Sequence, residues 1–227
     1  MSRKILLDVE TTGFYYDRDD RVVELACVEI LEDKTMKAEF HYYINPQRDI
    51  PEETTKVHGI TNEMVKDSPI FTDIAAEFLN FVGDSEVIAH NAKFDMNFVN
   101  AELKKAQQEI INPSRFIDTL KMAQDKFPGQ RNSLDILCKR FGIDLASRKD
   151  HHGALIDTKL LGEVYIKLIG GQKSMFDSEF SSIDNVALGK ILSYDNSNFP
   201  YRKFNLTAAE IENHKSFMAK IKNSKWL

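Results

Sequence analysis

Cysteine is scarce in this sequence: Cys27 and Cys138 are the only two in 227 residues. Each sits in an apolar patterned segment without metal-ligand spacing, which argues against a thiolate metal site and predicts buried thiols of a reduced, cytosolic protein. Long apolar runs are missing too. The opening MSRKILLDVE meets Asp8 after a few apolar residues, too few for a signal-peptide core, and no later run approaches a membrane span. The expected location is therefore cytoplasmic, with no membrane partner. Positive charge is not in excess: 30 Lys and Arg against 35 Asp and Glu leave a net charge of −5. That balance argues against holding nucleic acid on a broad basic surface. An enzyme acting on nucleic acid would then need cations bound at its site and a partner to keep it on the strand. Core material is plentiful, with 42% hydrophobic and 10% aromatic residues. The length fits one medium domain plus a short appendage, and no internal repeat is visible.

Periodicity predicts strands over 4–10 (KILLDVE), 21–31 (RVVELACVEIL) and 38–45 (AEFHYYIN), the last ending at Pro46, joined as an antiparallel meander. A helix is expected over 71–83 with Gly83 as its stop, then a strand over 86–90 and a helix over 92–107. Further helices read at 119–126, at 133–141 before Gly142, and at 153–169 before Gly170 and Gly171. Strands first, then strands alternating with helices, predict an α/β fold with a mixed central sheet flanked by helices. After Gly171 the composition shifts to Ser, Asn, Asp and Gly without a sustained period, so 171–204 reads as a linker. Residues 205–227 read as a short amphipathic helical tail, with Thr207 and Glu210 at capping-box spacing and Leu206 and Ile211 placed for a hydrophobic staple. Such a helix docks on the preceding domain or binds a partner.

Three clusters of acids carry the chemistry. Asp8 and Glu10, two apart on a strand, point to one face about 6–7 Å apart. In isolation, two solvated acids at a strand end are the commoner reading. Asp95, in HNAKFD, falls in the first turn of a helix, where an acid also complements the helix dipole. Asp157 lies in the first turns of the helix after KDHHGALID, just downstream of His151 and His152. That histidine pair reads as metal ligands, as catalytic bases, or as a polar helix entry. Four acids at strand ends and helix starts can converge at one sheet edge, and such an oxygen-rich site suits Mg²⁺ or Mn²⁺ over zinc. Two such ions clamping the attacking and leaving oxygens would hydrolyse a phosphodiester.

LDVETTGF, HNAKFD and HGALID resemble, in order and spacing, the three motifs of the DEDDh 3′→5′ exonucleases. VHGIT (57–61), FPGQRNSLDILC (127–138), GGQKSMF (170–176) and the TAAEI…W tail are similar to the epsilon proofreading subunits of bacterial DNA polymerase III. The resemblance implies an RNase H-like fold and two divalent cations, Mg²⁺ or Mn²⁺. It makes Asp8, Glu10, Asp95 and Asp157 the metal-binding acids and His152 the general base. Gly153 stands where the family's other branch has a tyrosine, so this chain matches the histidine branch. His151 falls outside the motif. On a regular helix His152 and Asp157 would stand about 140° apart, so His152 is expected in the loop before the helix.

The resemblance also places a 3′-terminal nucleotide against Asp8, Glu10, Asp157, Thr11, Thr12, Glu53 and the loop containing His58, with Glu52 the alternative to Glu53. His58 reads equally as a loop histidine capping the turn before Gly59. Phe94 reads as core or as a stacking platform, and Tyr15, Tyr16 and Asp17–Asp20 as a solvated loop. Gln172, Met175 and Phe176 fit the short peptide by which replication proteins bind a sliding clamp. The implied layout is a catalytic domain at 1–170, a linker at 171–204 carrying that motif, and a helix at 205–227 that binds the DNA polymerase III alpha subunit. The substrate would be a single-stranded or frayed DNA 3′ end, and a small accessory subunit on the catalytic domain stays open. Two rivals remain: an RNA- or oligonucleotide-trimming exonuclease of the same branch, which generally lacks the tail, and a non-catalytic scaffold bridging polymerase and clamp.

Overall fold

The computed structural model describes residues 3–145, 153–170 and 207–218. Its sheet contains β1 (Arg3–Thr11), β2 (Val22–Leu31), β3 (Met36–Tyr43), β4 (Glu86–Ala89) and β5 (Phe116–Asp118), in the order β3-β2-β1-β4-β5. The first three form the expected antiparallel meander, while β4 joins β1, and β5 joins β4, in parallel. The helices are α1 (Glu52–His58), α2 (Asn62–Val65), α3 (Phe71–Val82), α4 (Ala92–Lys105), α5 (Thr119–Lys126), α6 (Leu134–Phe141), α7 (Ala154–Ile169) and α8 (Ala208–Met218). This is the mixed, helix-flanked sheet of the RNase H-like class.

β1 is central and covered on both faces, which is why its run is apolar rather than alternating. Ile5, Leu7 and Val9 join the cluster built with Phe78 of α3 and Phe98 of α4. Leu6 points the other way, into the cluster with Val28, Ile30 and Ile88 and with Leu161 and Val164 of α7. Asp8 and Glu10 continue the phase of Leu6, so the two-residue period that builds the core also aims both acids toward the α7 side. α7 lies close to the sheet at Gly162, where a Cβ would stand 2.6 Å from Met36 Sδ and 2.8 Å from Leu6 Cδ1.

Four parts of the fold differ from the sequence expectations, the first being β3, which runs Met36–Tyr43 rather than 38–45. Residues 52–58 and 62–65 are helical, so His58 ends a helix rather than sitting in a loop. β-branched Thr54, Thr55 and Val57 weaken the helical signal, but Pro51 before the first turn and left-handed Gly59 (φ 75°) fix both ends. β5 has three residues, too few to show a period. The loop after β1 is pinned rather than merely solvated. Asp20 accepts from Tyr15 N–H at 2.9 Å and from Arg48 Nη1 at 3.0 Å, and a Cβ at Gly13 would lie 2.2 Å from Asp20 Oδ2.

By contact density the chain divides into two units, Met1–Gln172 and Lys173–Leu227. In the second, Thr207 and Glu210 form the expected capping box. Thr207 N–H donates to Glu210 Oε2 at 2.8 Å, and Glu210 N–H donates to Thr207 Oγ1 at 3.3 Å. The staple residue Leu206 lies outside the described residues. No helix among the described residues is long and apolar enough to cross a membrane.

Candidate active site

Each acid is set by its element. β1 runs on past Asp8 to Thr11, which keeps Asp8 and Glu10 on one face instead of releasing them at a strand end. Asp157 is in the first turn of α7, and its N–H donates to the Gly153 carbonyl at 2.9 Å. One carboxylate oxygen from each of Asp8, Glu10 and Asp157 lies within 4.8 Å of the other two. Among the described residues no other group of His, Cys, Asp and Glu side chains is so arranged.

Asp95 reaches the same strand by a different route. Asn91 adopts a left-handed conformation (φ 69°), tolerated by asparagine, and its N–H donates to Asp118 Oδ1 at 3.1 Å. That turn starts α4 and brings the buried Asp95 to β1, where Asp95 Oδ1 accepts from Val9 N–H at 3.2 Å. Asp95 is outside the group of three, yet its charge bears on Asp8. Burial, followed by the charges of Asp95, Glu10, Asp157 and Glu24, holds the Asp8 carboxyl well above the usual carboxylate range. Burial also pushes Asp95 up to about 8, against the opposing hydrogen bonds from its own N–H and that of Val9. Carboxylates crowded this way are costly to ionise without a compensating cation. A set of hard oxygen donors fits a divalent ion such as Mg²⁺ or Mn²⁺.

The remaining expected residues divide. Glu10, Thr11 and His58 line one cavity of about 200 Å³, together with Val9, Gly13, Phe14, Thr54, Val57 and Phe94. His58 is buried, and its Nδ1 accepts from Ile60 N–H at 3.0 Å, so it closes the turn at Gly59 and faces the cavity as well. Phe94 packs against the core 4.9 Å from the Phe98 ring, as one of its two readings has it, and also lines the cavity. Thr12 does not line it. Its Oγ1 accepts from Arg21 N–H at 3.0 Å, which ties the loop to β2. Glu53 is exposed on the first turn of α1, and Glu52 pairs with Lys56 at 2.8 Å; neither lines the cavity. His152 and the clamp-motif residues Gln172, Met175 and Phe176 lie outside the described residues.

Sequence reasoning missed Thr54 and Val57, which reach the cavity only because 52–58 is helical, and Phe14, 75% exposed at its rim. It also missed Glu24, a 2%-exposed acid on β2 directly across from Glu10. The signal was an acid inside the valine-rich run RVVELACVEI in the phase of Ala26 and Val28, which face α7.

The family model described as Exonuclease (RNase T) matches residues 5–165. Exonuclease X, solved with 5′-overhanging duplex DNA, is similar at a TM-score of 0.58 and 26% identity, over 74% of this chain and 90% of that one. The nuclease domain of 3′hExo, a DEDDh family member solved with rAMP, shares the fold at a TM-score of 0.64 and 16% identity, over 74% and 91%. Three carboxylates gathered beside the central strand of a mixed sheet, in a chain that the exonuclease family model matches, define a metal-dependent 3′→5′ exonuclease. The DNA polymerase III subunit epsilon of Rickettsia felis is 40% identical over 222 residues, 96% of either chain. That of Pasteurella multocida is 40% identical over 194 residues, 82% of this chain and 76% of its own. The chain belongs to the exonuclease family, in the line of the DNA polymerase III epsilon subunits.

Proposed function

We propose that this chain is the proofreading subunit of a bacterial replicative polymerase, hydrolysing the 3′-terminal nucleotide of a single-stranded or frayed DNA end to a 5′-mononucleotide. The observation that carries the reading is the Asp8, Glu10 and Asp157 cluster bordering a cavity lined by Phe14, Val57 and Phe94, in a chain of this family. Asp8, Glu10 and Asp157, with Asp95 beside them, are the residues to hold a pair of Mg²⁺ or Mn²⁺ ions. When bound, the ions lower the pKa of a water and stabilise charge on the departing 3′-oxygen.

The protein's own groups do the rest. The aromatic and aliphatic lining takes the terminal base by stacking, which tolerates any of the four. Thr11 and His58, at the same cavity, position the terminal nucleotide. Glu53 lies outside the lining, and the sugar contact falls to Thr54, which lines the cavity. His152 accepts the proton of the attacking water. His151 is its bystander.

We extend the reading to the partners. Residues 1–170 form the catalytic domain, 171–204 a linker offering Gln172, Met175 and Phe176 to a sliding clamp, and 205–227 the helix for the polymerase alpha subunit. The likeness over 96% of the Rickettsia felis chain, which takes in most of the tail, supports this layout.

The test is release of 5′-mononucleotide from a primer with a mismatched 3′ end, in Mg²⁺ or Mn²⁺ and in EDTA. Metal-dependent release is expected, with the rate falling about 10²–10⁴-fold in His152→Ala and hardly at all in His151→Ala. No release in either metal would leave only the scaffold reading.

A further inference from the structure

We propose that Glu24 is the positioning residue that fixes the distance between the α7 acid and the β1 acids, clamping the first turn of α7 to the sheet through both of its carboxylate oxygens. Glu24 Oε2 accepts from Ala154 N–H at 3.0 Å, and Glu24 Oε1 accepts from His41 Nε2–H at 2.7 Å. The bridge spans 130 residues of sequence to the helix and 17 to β3. It rests on the reading of Asp8, Glu10 and Asp157 as the metal-binding group.

Four observations converge on this assignment. Glu24 is the strand partner of Glu10, and its neighbour Ala26 is the partner of Asp8, so the residue is in register with both β1 acids. Ala154 is the first residue of α7, three before Asp157, so the N–H that Glu24 holds is in the same turn as the third acid. Gly153, the N-cap, has no side chain to offer, and α7 makes no local side-chain cap. A helix start leaves its first N–H groups without intrahelical partners, and here the acceptor comes from the sheet instead. The fourth is the second oxygen. His41 is the strand partner of Ala26, and its ring lies 5.2 Å from that of Tyr43, the partner of Glu24. Glu24 is therefore held at one oxygen while it holds the helix with the other.

A helix advances about 1.5 Å per residue. A slip of even part of that along the α7 axis changes a set of donor atoms gathered within 4.8 Å. Gly162 lets α7 approach the sheet closely further along, but that contact is apolar and does not fix the axial position of the first turn. The Glu24 bridge does.

Charge and reach make opposite predictions for two conservative variants. In Glu24→Gln the side chain keeps its length. Its amide oxygen still accepts from Ala154, and its N–H₂ faces His41 Nε2 with the imidazole in the other tautomer. Glu24→Asp keeps the charge and is one methylene too short to hold both partners. The experiment measures Mn²⁺ affinity of the full chain by electron paramagnetic resonance, alongside kcat and KM on a 3′-labelled oligonucleotide. Glu24→Ala and Glu24→Asp should weaken Mn²⁺ binding about 10-fold, the size usual when the support of a metal ligand is lost. The kcat should fall in parallel while KM for DNA stays level, and Glu24→Gln should recover most of the loss. Should Glu24→Ala fail to fold, the ranking of the Asp and Gln variants still decides. Aspartate at wild-type affinity with glutamine as weak as alanine would overturn the proposal in favour of a charge effect, and wild-type affinity in all three would remove it. Absence of Mn²⁺ binding by the wild-type chain would sink the metal reading itself rather than this refinement.

Discussion

Asp95 can be read from sequence as a dipole-complementing acid, but its surroundings set a different cost. It is 3% exposed, and burial pushes it up to about 8, whereas in an unfolded chain an aspartate titrates near 3.9. The sign follows from linkage. Below about pH 4 the group is protonated in both states and folding is unaffected. As pH rises toward 8 the unfolded chain gains by ionising while the folded one resists, so stability is lost across that window. Asp95→Asn removes the penalty and keeps an oxygen for Val9 N–H. In EDTA its melting temperature should match wild type near pH 4 and exceed it by several degrees at pH 8. A constant difference across pH, read by scanning fluorimetry, would refute the account. Activity should be lost in the same variant. The same crowding is what a bound cation relieves, so Mn²⁺ at pH 8 should raise the wild-type melting temperature more than that of Asp95→Asn.

Whole elements carry these residues, and α7 carries the most. Gly162 sets how near it lies to β1 and β3, because a Cβ would meet Met36 Sδ at 2.6 Å and buried Leu6 Cδ1 at 2.8 Å. Alanine gains up to about 1 kcal/mol of helix propensity over glycine, and overpacking a core costs typically 1–3 kcal/mol. Packing should win. Gly162→Ala is expected to lose about 1–2 kcal/mol by denaturant titration and to lower kcat as Asp157 moves off the β1 acids. A more stable, fully active variant would show that Met36 swings aside freely.

The same elements show what a sequence can disclose. β1, α5, α6 and α7 were legible because their lengths allow a period to show, and Asp8, Glu10, Asp95 and Asp157 because strand phase and helix starts place them. β3 was shifted two residues toward Pro46 because the last paired residue, Tyr43, is set by β2 rather than by the proline. α1, α2 and β5 were too short or too β-branched to read. Thr54 and Val57 escaped because they reach the cavity only through the fold of 52–58, and Glu24, though its phase in the valine-rich run marks it as buried, takes its partners from distant α7 and β3.

At the scale of the whole molecule, a net charge of −5 must be reconciled with a polyanionic substrate. Non-specific affinity for DNA comes from phosphates neutralised by Lys and Arg, and it weakens with salt in proportion to their number. A chain with 35 acids and 30 bases has little of this to offer, so the proposed function assigns its hold on a primer end to tethering where the end is exposed. Tethering substitutes an effective concentration of the order of mM for intrinsic affinity. Met1–Gln172 and Lys173–Leu227 are separate units of the chain by contact. Removing residues 205–227 should leave hydrolysis of a free oligonucleotide within about 2-fold while abolishing co-purification with the polymerase alpha subunit. On a primer–template extended by that polymerase, excision of mismatched ends by the truncated chain should drop at least 10-fold and fall further as salt rises from 50 to 200 mM, whereas the full chain should change little. Retention of both co-purification and salt-resistant excision after truncation would place the tether elsewhere, and the clamp motif at Gln172, Met175 and Phe176 would then be the segment to remove next.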